Sequence, residues 1–206
     1  MNILHLDSGL FAGQSVTRQL SAQLVERLQA QHAASQVVYR DLAASAPAHM
    51  DASLLMASGK PEAERTPQER EQLALTQQIL DELFAADVLV IGAPMYNFSL
   101  PSQLKAWIDR ISQAGTTFRY TSDGPEGLVK GKKAYVVSSR GGVYSEGPAA
   151  AMEHQESYLL TVLAFVGITD VQVIRAEGVN LGEEPKAKAL QNAKAQIART
   201  TVRVAA

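Results

Sequence analysis

The chain has 206 residues, of which 46% are apolar, 6% are aromatic and none is cysteine, and its 19 basic and 21 acidic side chains give a formal net charge of −2. This length and apolar fraction suit one globular domain over residues 1–206 and exclude an intrinsically disordered chain. The near-neutral charge predicts no nucleic-acid partner. Because cysteine is absent, disulfides, thiolate metal sites and thiol nucleophiles are excluded, so any redox chemistry must come from a cofactor.

The N-terminal segment lacks the features of a targeting sequence. It has no basic region, and its apolar run at 3–6 is interrupted by His5 and stopped by Asp7, which is not the pattern of a signal peptide. No stretch approaches the roughly 18 consecutive apolar residues of a membrane span. The sequence therefore predicts a cytoplasmic protein without a membrane partner.

Strand and helix candidates alternate along the chain. The apolar segments that predict strands lie at residues 3–6, 36–40, 87–93, 134–137 and 171–175. The helical patterns begin at Ser15, at Thr66, at Pro101, after the Gly-Pro pair at 147–148 (ending at Gly167) and at Lys186, the last running to Val202. Residues 41–65 are predicted to be an extended connection with one helical turn. The start at Thr66 is the best defined, since Pro67 and Glu69 complete a capping-box pattern.

This alternation predicts an α/β fold with three layers. A five-stranded parallel sheet, in the flavodoxin-like order 2-1-3-4-5, would carry helices on both faces. The continuous apolar run at 87–93 is typical of a strand covered on both sides. Ligands of such sheets bind beyond the carboxyl ends of the strands. We therefore expect the site in three loops, which we name loop one (7–17), loop three (93–101) and loop four (138–145).

Each of these loops has an unusual composition. Loop one combines glycines and hydroxyl residues before a helix N-terminus, which favours a phosphate site or else a plain N-cap with a glycine turn. Loop three places Met, Tyr and Phe between two prolines, as a wall for a flat ring or as a loop folded back on the core. Loop four contains Gly141 and Gly142, whose backbone either meets a ligand closely or forms a flexible turn. Together they predict flavin mononucleotide (FMN), which has a phosphate at one end and a flat ring at the other.

Six short motifs between residues 93 and 178 support this interpretation. They are APMYNF at 93–98, GTTFRYT at 115–121, GPEGL at 124–128, SRGG at 139–142, GITD at 167–170 and AEG at 176–178. In combination they resemble the FMN-dependent NADH-azoreductases, which are also FMN-dependent NADH:quinone oxidoreductases. The resemblance implies a flavodoxin-like fold and a homodimer with FMN at the interface.

The resemblance also assigns site residues by position. The phosphate would be bound by Ser15, Val16 and Thr17, the isoalloxazine ring by Met95, Tyr96, Asn97 and Phe98, and its far edge by Ser139, Arg140, Gly141 and Gly142. Substrate would contact Phe98, Tyr144 and Tyr120, the last reaching into the partner's site. This sequence departs from the family at Gly9, where a hydroxyl residue is usual, at Val16, which offers only its backbone, and at Tyr144, where some members have histidine.

The implied activity is the reduction of quinones and azo compounds by NADH, or by NADPH, in a ping-pong reaction through FMN. The flavin carries the chemistry, so no catalytic side chain and no metal site are expected. His5 and His32 are interpreted as structural. A competing hypothesis is an electron carrier of the flavodoxin type, although such carriers are usually strongly acidic so that they dock on basic partners. A second is a phosphodiesterase, which would need a metal or nucleophile site, and a third is a quinone reductase with negligible azo activity.

Overall fold

The computed structural model describes residues 1–201 of the chain. The strands of this region are β1 (Asn2–Asp7), β2 (Gln36–Asp41), β3 (Val88–Pro94), β4 (Phe118–Thr121), β5 (Gly124–Gly127), β6 (Lys133–Arg140) and β7 (Asp170–Glu177). Its α-helices are α1 (Val16–Gln31), α2 (Ala52–Ala57), α3 (Pro67–Ala85), α4 (Ser102–Ile111), α5 (Glu156–Val166) and α6 (Glu183–Arg199).

Five of these strands form one parallel sheet in the order β2-β1-β3-β6-β7. This confirms the predicted order 2-1-3-4-5, because β4 and β5 form a separate antiparallel pair. The sheet has a hydrophobic core on each face. One core contains Leu83 of α3, Trp107 of α4 and Leu163 of α5, and the other contains Leu20 of α1 and Ala193 of α6. Helices therefore cover both faces, and all seven residues of the central strand β3 are buried.

The predicted helix starts at Thr66 and Ser15 are confirmed. The amide of Glu69 donates to Thr66 Oγ1 at 3.1 Å, and the amide of Thr66 donates to Glu69 Oε2 at 2.8 Å, which completes the capping box. Ser15 is the N-cap of α1, and its Oγ accepts a long hydrogen bond of 3.5 Å from the amide of Arg18. These caps satisfy amide groups that have no partner within their helices.

Two predicted boundaries are wrong. The fourth predicted strand, at 134–137, continues as β6 through Ser138, Ser139 and Arg140, which pair with β7 and are buried. The predicted long helix after residue 148 is interrupted: a 3-10 helix at Pro148–Met152 precedes α5. Between them the Glu153 carboxylate accepts hydrogen bonds from the first amides of α5 and from the residue before it.

The remaining differences are smaller. The connection at 41–65 contains the short helix α2 and a 3-10 turn. The closing helix ends at Arg199, and Val202, its predicted end, lies outside the described residues. The hairpin of β4 and β5 is not predicted by the sequence. Within residues 1–201 no helix has both the length and the apolar character to cross a membrane.

Candidate functional site

The three loops named from the sequence meet at the carboxyl edge of the sheet. The amide of Leu10 in loop one donates to Tyr96 Oη of loop three at 3.1 Å. The amide of Met95 donates to the carbonyl of Ser139 at 2.8 Å, which ties loop three to the end of β6. The rings of Phe98 and Tyr144 stand edge to face with centroids 6.1 Å apart, so loops three and four are also in contact.

Loop one presents donors at the start of α1. The amides of Val16 and Thr17 donate to no other part of the described chain, as expected in a first helical turn. Ser15 Oγ lies 3.0 Å from Thr17 Oγ1, and both side chains are buried. Gly9 makes room for them, because a Cβ at this position would lie 2.2 Å from Ser15 Oγ. Ser8 does not replace a hydroxyl at Gly9, since its own Oγ is buried and donates to the carbonyl of Gly92 at 2.7 Å.

Loop three is a tight turn that projects outward. Tyr96 and Ser99 exchange backbone hydrogen bonds of 2.8 and 3.1 Å. Between them Asn97 and Phe98 adopt φ angles of 49° and 70°, a left-handed conformation that is uncommon for residues other than glycine. Phe98 is 44% exposed, so its side chain is not folded onto the core. A cavity of about 570 Å³ lies between this loop and loop one, lined in part by Phe11 and Met95.

Loop four is held in place by backbone hydrogen bonds from the segment after β7. The carbonyls of Gly141 and Gly142 accept hydrogen bonds of 3.1 and 3.0 Å from the amides of Asn180 and Gly178. A Cβ on Gly141 would lie 2.7 Å from Asn180 Nδ2, so a larger residue there would displace the Asn180 side chain. In the described chain the amides of Gly141 and Gly142 have no hydrogen-bond acceptor. Two backbone donors therefore remain available to a ligand at this position.

The side chain of Arg140 is buried and does not extend towards loops one and three. Its side chain is 1% exposed and points into the molecule, where Nη1 bonds to Glu177 at 2.9 Å. Nη2 lies 2.9 Å from Glu156 and 3.1 Å from Glu153, and Nε donates to Gln155 at 2.9 Å. The guanidinium is therefore engaged by side chains of the protein itself.

Glu177 connects this buried arginine to loop four. Its carboxylate accepts hydrogen bonds from the amides of Tyr144 and Ser145 at 2.9 and 3.0 Å. Burial alone would raise the pKa of Glu177, but the hydrogen bonds from Ser145 and Tyr144, together with the Arg140 guanidinium, hold that pKa below its ordinary value. The carboxylate is therefore charged near neutral pH, and it orients the loop that carries Tyr144.

Tyr120 is not brought to these loops within one chain. It is 75% exposed on the β4–β5 hairpin, and its ring contacts Phe118. The hairpin packs against the C-terminal end of α5, at Gly167, whereas Phe98 contacts the segment before the N-terminus of that helix through the amide of His154. These two contacts therefore lie at opposite ends of α5, about 16 Å apart.

Two residues that support the site, Gln155 and Glu177, were not predicted as site residues from the sequence. Gln155, whose amide group bonds to the carbonyl of Ala93, joins β3 to Arg140. Glu177 lies within the AEG motif at 176–178, so a signal for it was present in the sequence. Among the described residues no cluster of His, Cys, Asp and Glu could hold a metal ion. A larger groove of about 930 Å³, between α2, α3 and α4, is lined by none of the predicted site residues.

Comparison with known protein sequences identifies close relatives. A family profile described as the flavodoxin-like fold matches residues 1–201. The chain is 51% identical over 197 residues to FMN-dependent NADH:quinone oxidoreductase 1 of Idiomarina loihiensis, covering 96% of this chain and 98% of that protein. It is 54% identical over 200 residues to the FMN-dependent NADH:quinone oxidoreductase of Delftia acidovorans, covering 97% and 94%.

Comparison with solved structures identifies azoreductases with a similar fold. The structure of an azoreductase from Bacillus anthracis strain Sterne superposes with a TM-score of 0.85 at 29% identity, covering 97% of this chain and all of that one. An FMN-dependent NADH-azoreductase from Bacillus anthracis strain Ames Ancestor, solved in complex with FMN, superposes with a TM-score of 0.87 at 27% identity, covering 96% and 95%.

Proposed function

Because this chain belongs to the family of flavodoxin-like FMN-dependent NADH:quinone oxidoreductases, we propose that it binds FMN and uses NADH to reduce quinones and azo compounds. The observation that carries this proposal is the convergence of loops one, three and four at one edge of the sheet. The relatives named above are similar to this chain over nearly its whole length, which supports the same cofactor and the same reaction class.

The residues at this edge fit the two ends of FMN. The free amides of Val16 and Thr17, with Ser15 Oγ, form an anion site at the N-terminus of α1 that suits a phosphate. The outward turn of loop three offers Phe98 as an apolar surface for a flat ring. The unpaired amides of Gly141 and Gly142 suit the carbonyl oxygens at a ring edge. Because residues 141 and 142 are glycines, a ligand can approach their backbone closely.

The contribution of the protein is binding and positioning. When bound, FMN would supply the redox chemistry, which is hydride transfer from NADH and then transfer of two electrons and two protons to a quinone or azo compound. The α1 N-terminus anchors one end of the cofactor. Loop four, held by Glu177 and Asn180, presents two fixed amide dipoles to the other end, and fixed dipoles need no reorganisation when charge develops. Phe98 and Tyr144 border the face on which each substrate would stack in turn.

We propose further that the enzyme is a homodimer in which Tyr120 of each chain reaches the site of the other. Tyr120 is largely exposed, and its hairpin packs at the end of α5 opposite to the end that contacts loop three. Its exposed ring is available for contact with a second copy of the chain. We expect light scattering to report twice the 22.1 kDa of one chain. A species with the mass of one chain at micromolar concentration would refute the shared site.

The flavin and its reduction are tested in one experiment. Purified protein reconstituted with FMN is expected to retain the flavin on a sizing column and to absorb at about 450 nm. Under anaerobic conditions NADH alone should abolish that absorbance before any second substrate is added, as a ping-pong reaction requires. A quinone, and separately an azo dye, should then restore it. Protein that has not been reconstituted serves as the control and should not oxidise NADH.

The outcomes separate the competing functions. Elution of free flavin would contradict the assignment of the three loops. Retained flavin that is not reduced by NADH would instead favour an electron carrier. Recovery of absorbance with quinones but not with azo dyes would restrict the activity to quinone reduction.

A further inference from the structure

A network of charged side chains lies beside loop one, at the carboxyl ends of β1 and β2. Asp7 and Asp41 are paired positions of these parallel strands, so their carboxylates are close neighbours. Arg18, in the first turn of α1, binds Asp41 through both terminal nitrogens at 2.6 Å each. Its Nη1 also donates to Tyr39 Oη at 2.8 Å, and that hydroxyl donates to Asp7 at 3.1 Å.

This network places two negative charges next to the proposed phosphate site. Asp7 is 2% exposed and ends β1, directly before loop one. Its carboxylate also accepts a hydrogen bond from Ser21 Oγ at 2.8 Å and lies 3.5 Å from His5 Nε2. A phosphate at the N-terminus of α1 would therefore bind in the neighbourhood of two carboxylates. Arg18 carries the one permanent positive charge among the described residues that bond to Asp41 or Tyr39. The hydrogen bond from Arg18 lowers the pKa of Asp41, which favours the charged form of this carboxylate.

The arginine also holds the backbone of loop one. Its Nη2 donates to the carbonyl of Gly9 at 3.2 Å, and its amide donates to Ser15 Oγ. Side-chain donors are scarce in this part of the loop. Thr17 is fully buried and Val16 is aliphatic. The donors that remain for an anion are the amides of Val16 and Thr17 and Ser15 Oγ, and Arg18 is the one basic residue of the segment 7–18.

We propose that Arg18 is a positioning residue that makes loop one selective for the phosphate of its flavin by neutralising Asp7 and Asp41. This inference rests on the proposed function, because it concerns the cofactor of that same site. The guanidinium is held in place by Asp41, Tyr39 and Gly9, so its positive charge stays at the N-terminus of α1. Without it, the repulsion of two carboxylates would act on a dianionic group, whereas an uncharged ligand would be little affected.

The test compares FMN with riboflavin, which lacks the phosphate. Dissociation constants are measured by quenching of flavin fluorescence on the apoprotein of wild type, Arg18→Met and Arg18→Gln. We expect both variants to weaken FMN binding by about tenfold or more and riboflavin binding by less than about threefold. Tenfold corresponds to about 1.4 kcal/mol. Two neutral variants are used so that the readout remains if one of them does not fold.

Two further variants act as controls. Arg18→Lys keeps the charge and should keep the preference for FMN over riboflavin within about threefold of wild type. Arg27→Met removes the same charge from an exposed position of α1, about 13 Å further along the helix, and should change neither constant. Equal weakening of both flavins by Arg18→Met, or loss of the preference in Arg18→Lys, would overturn this inference alone. Wild-type protein that binds no FMN would overturn the proposed function as well.

Discussion

Replacing Arg140 with methionine is expected to lower the free energy of unfolding by about 3–5 kcal/mol, because it leaves buried carboxylates without their counter-charge. The guanidinium is 1% exposed and lies within 3.1 Å of Glu153, Glu156 and Glu177. Methionine fills similar space, so the loss reflects charge more than volume. The free energy of unfolding is measured by urea titration, with the fluorescence of the fully buried Trp107 as the signal.

The matched control is Arg119→Met. Arg119 also pairs with a glutamate, Glu126, at 2.7 Å, but its side chain is 60% exposed on the β4–β5 hairpin. Exposed ion pairs contribute about 0–1 kcal/mol, so the change should be within that range. Equal losses in the two variants would contradict the buried-charge explanation. Arg140→Met should in addition weaken FMN binding, because Glu177 loses the partner that orients it towards loop four.

The second large effect is expected for Gly127→Ala, at the end of β5. A Cβ at this position would lie 2.2 Å from the nitrogen of Gly167 and 2.4 Å from its Cα. Both are backbone atoms that cannot rotate away, and the amide of Val129 fixes the register by donating to the carbonyl of Val166 at 2.8 Å. We expect a loss of about 3 kcal/mol or more in the free energy of unfolding, with faster amide exchange in the hairpin that carries Tyr120.

Gly59→Ala is the control for this prediction. The nearest atom to a Cβ at Gly59 is 3.7 Å away, an ordinary contact, so its stability should change by less than about 0.5 kcal/mol. If Gly127→Ala unfolds at the wild-type urea concentration and its hairpin amides exchange at wild-type rates, the close packing of the hairpin on α5 is refuted.

Patterns within a few residues of the sequence identified two helix starts and the central buried strand. The capping box at Thr66 and the N-cap at Ser15 depend on side chains within three residues of the helix start. The buried strand β3 was identified by its continuous apolar run. The β4–β5 hairpin was missed because its second strand, Gly124–Gly127, contains two glycines and a proline, which are depleted in strands. Its pairing depends on contacts with α5 instead.

At the site, the end of β6 could not be predicted from local patterns either. Ser138, Ser139 and Arg140 look like loop residues because they are polar, yet they pair with β7 and are buried. The partners of Arg140 lie 13 to 37 residues further along the chain, at Glu153, Glu156 and Glu177. No local pattern reveals such partners, so the direction of the Arg140 side chain was not predictable.

The alternation of the five sheet strands with helices, and the three loops that meet at one edge of the sheet, follow from the amino-acid pattern alone. Periodicity and capping are local properties, and parallel strands with right-handed crossovers bring their carboxyl ends together. Which side chains of those loops face outward, and which are held inside, depends instead on contacts between distant elements. Arg140 points inward and Phe98 points outward, because burying a guanidinium requires carboxylates from distant elements, whereas an apolar ring can remain exposed at the end of a tight turn.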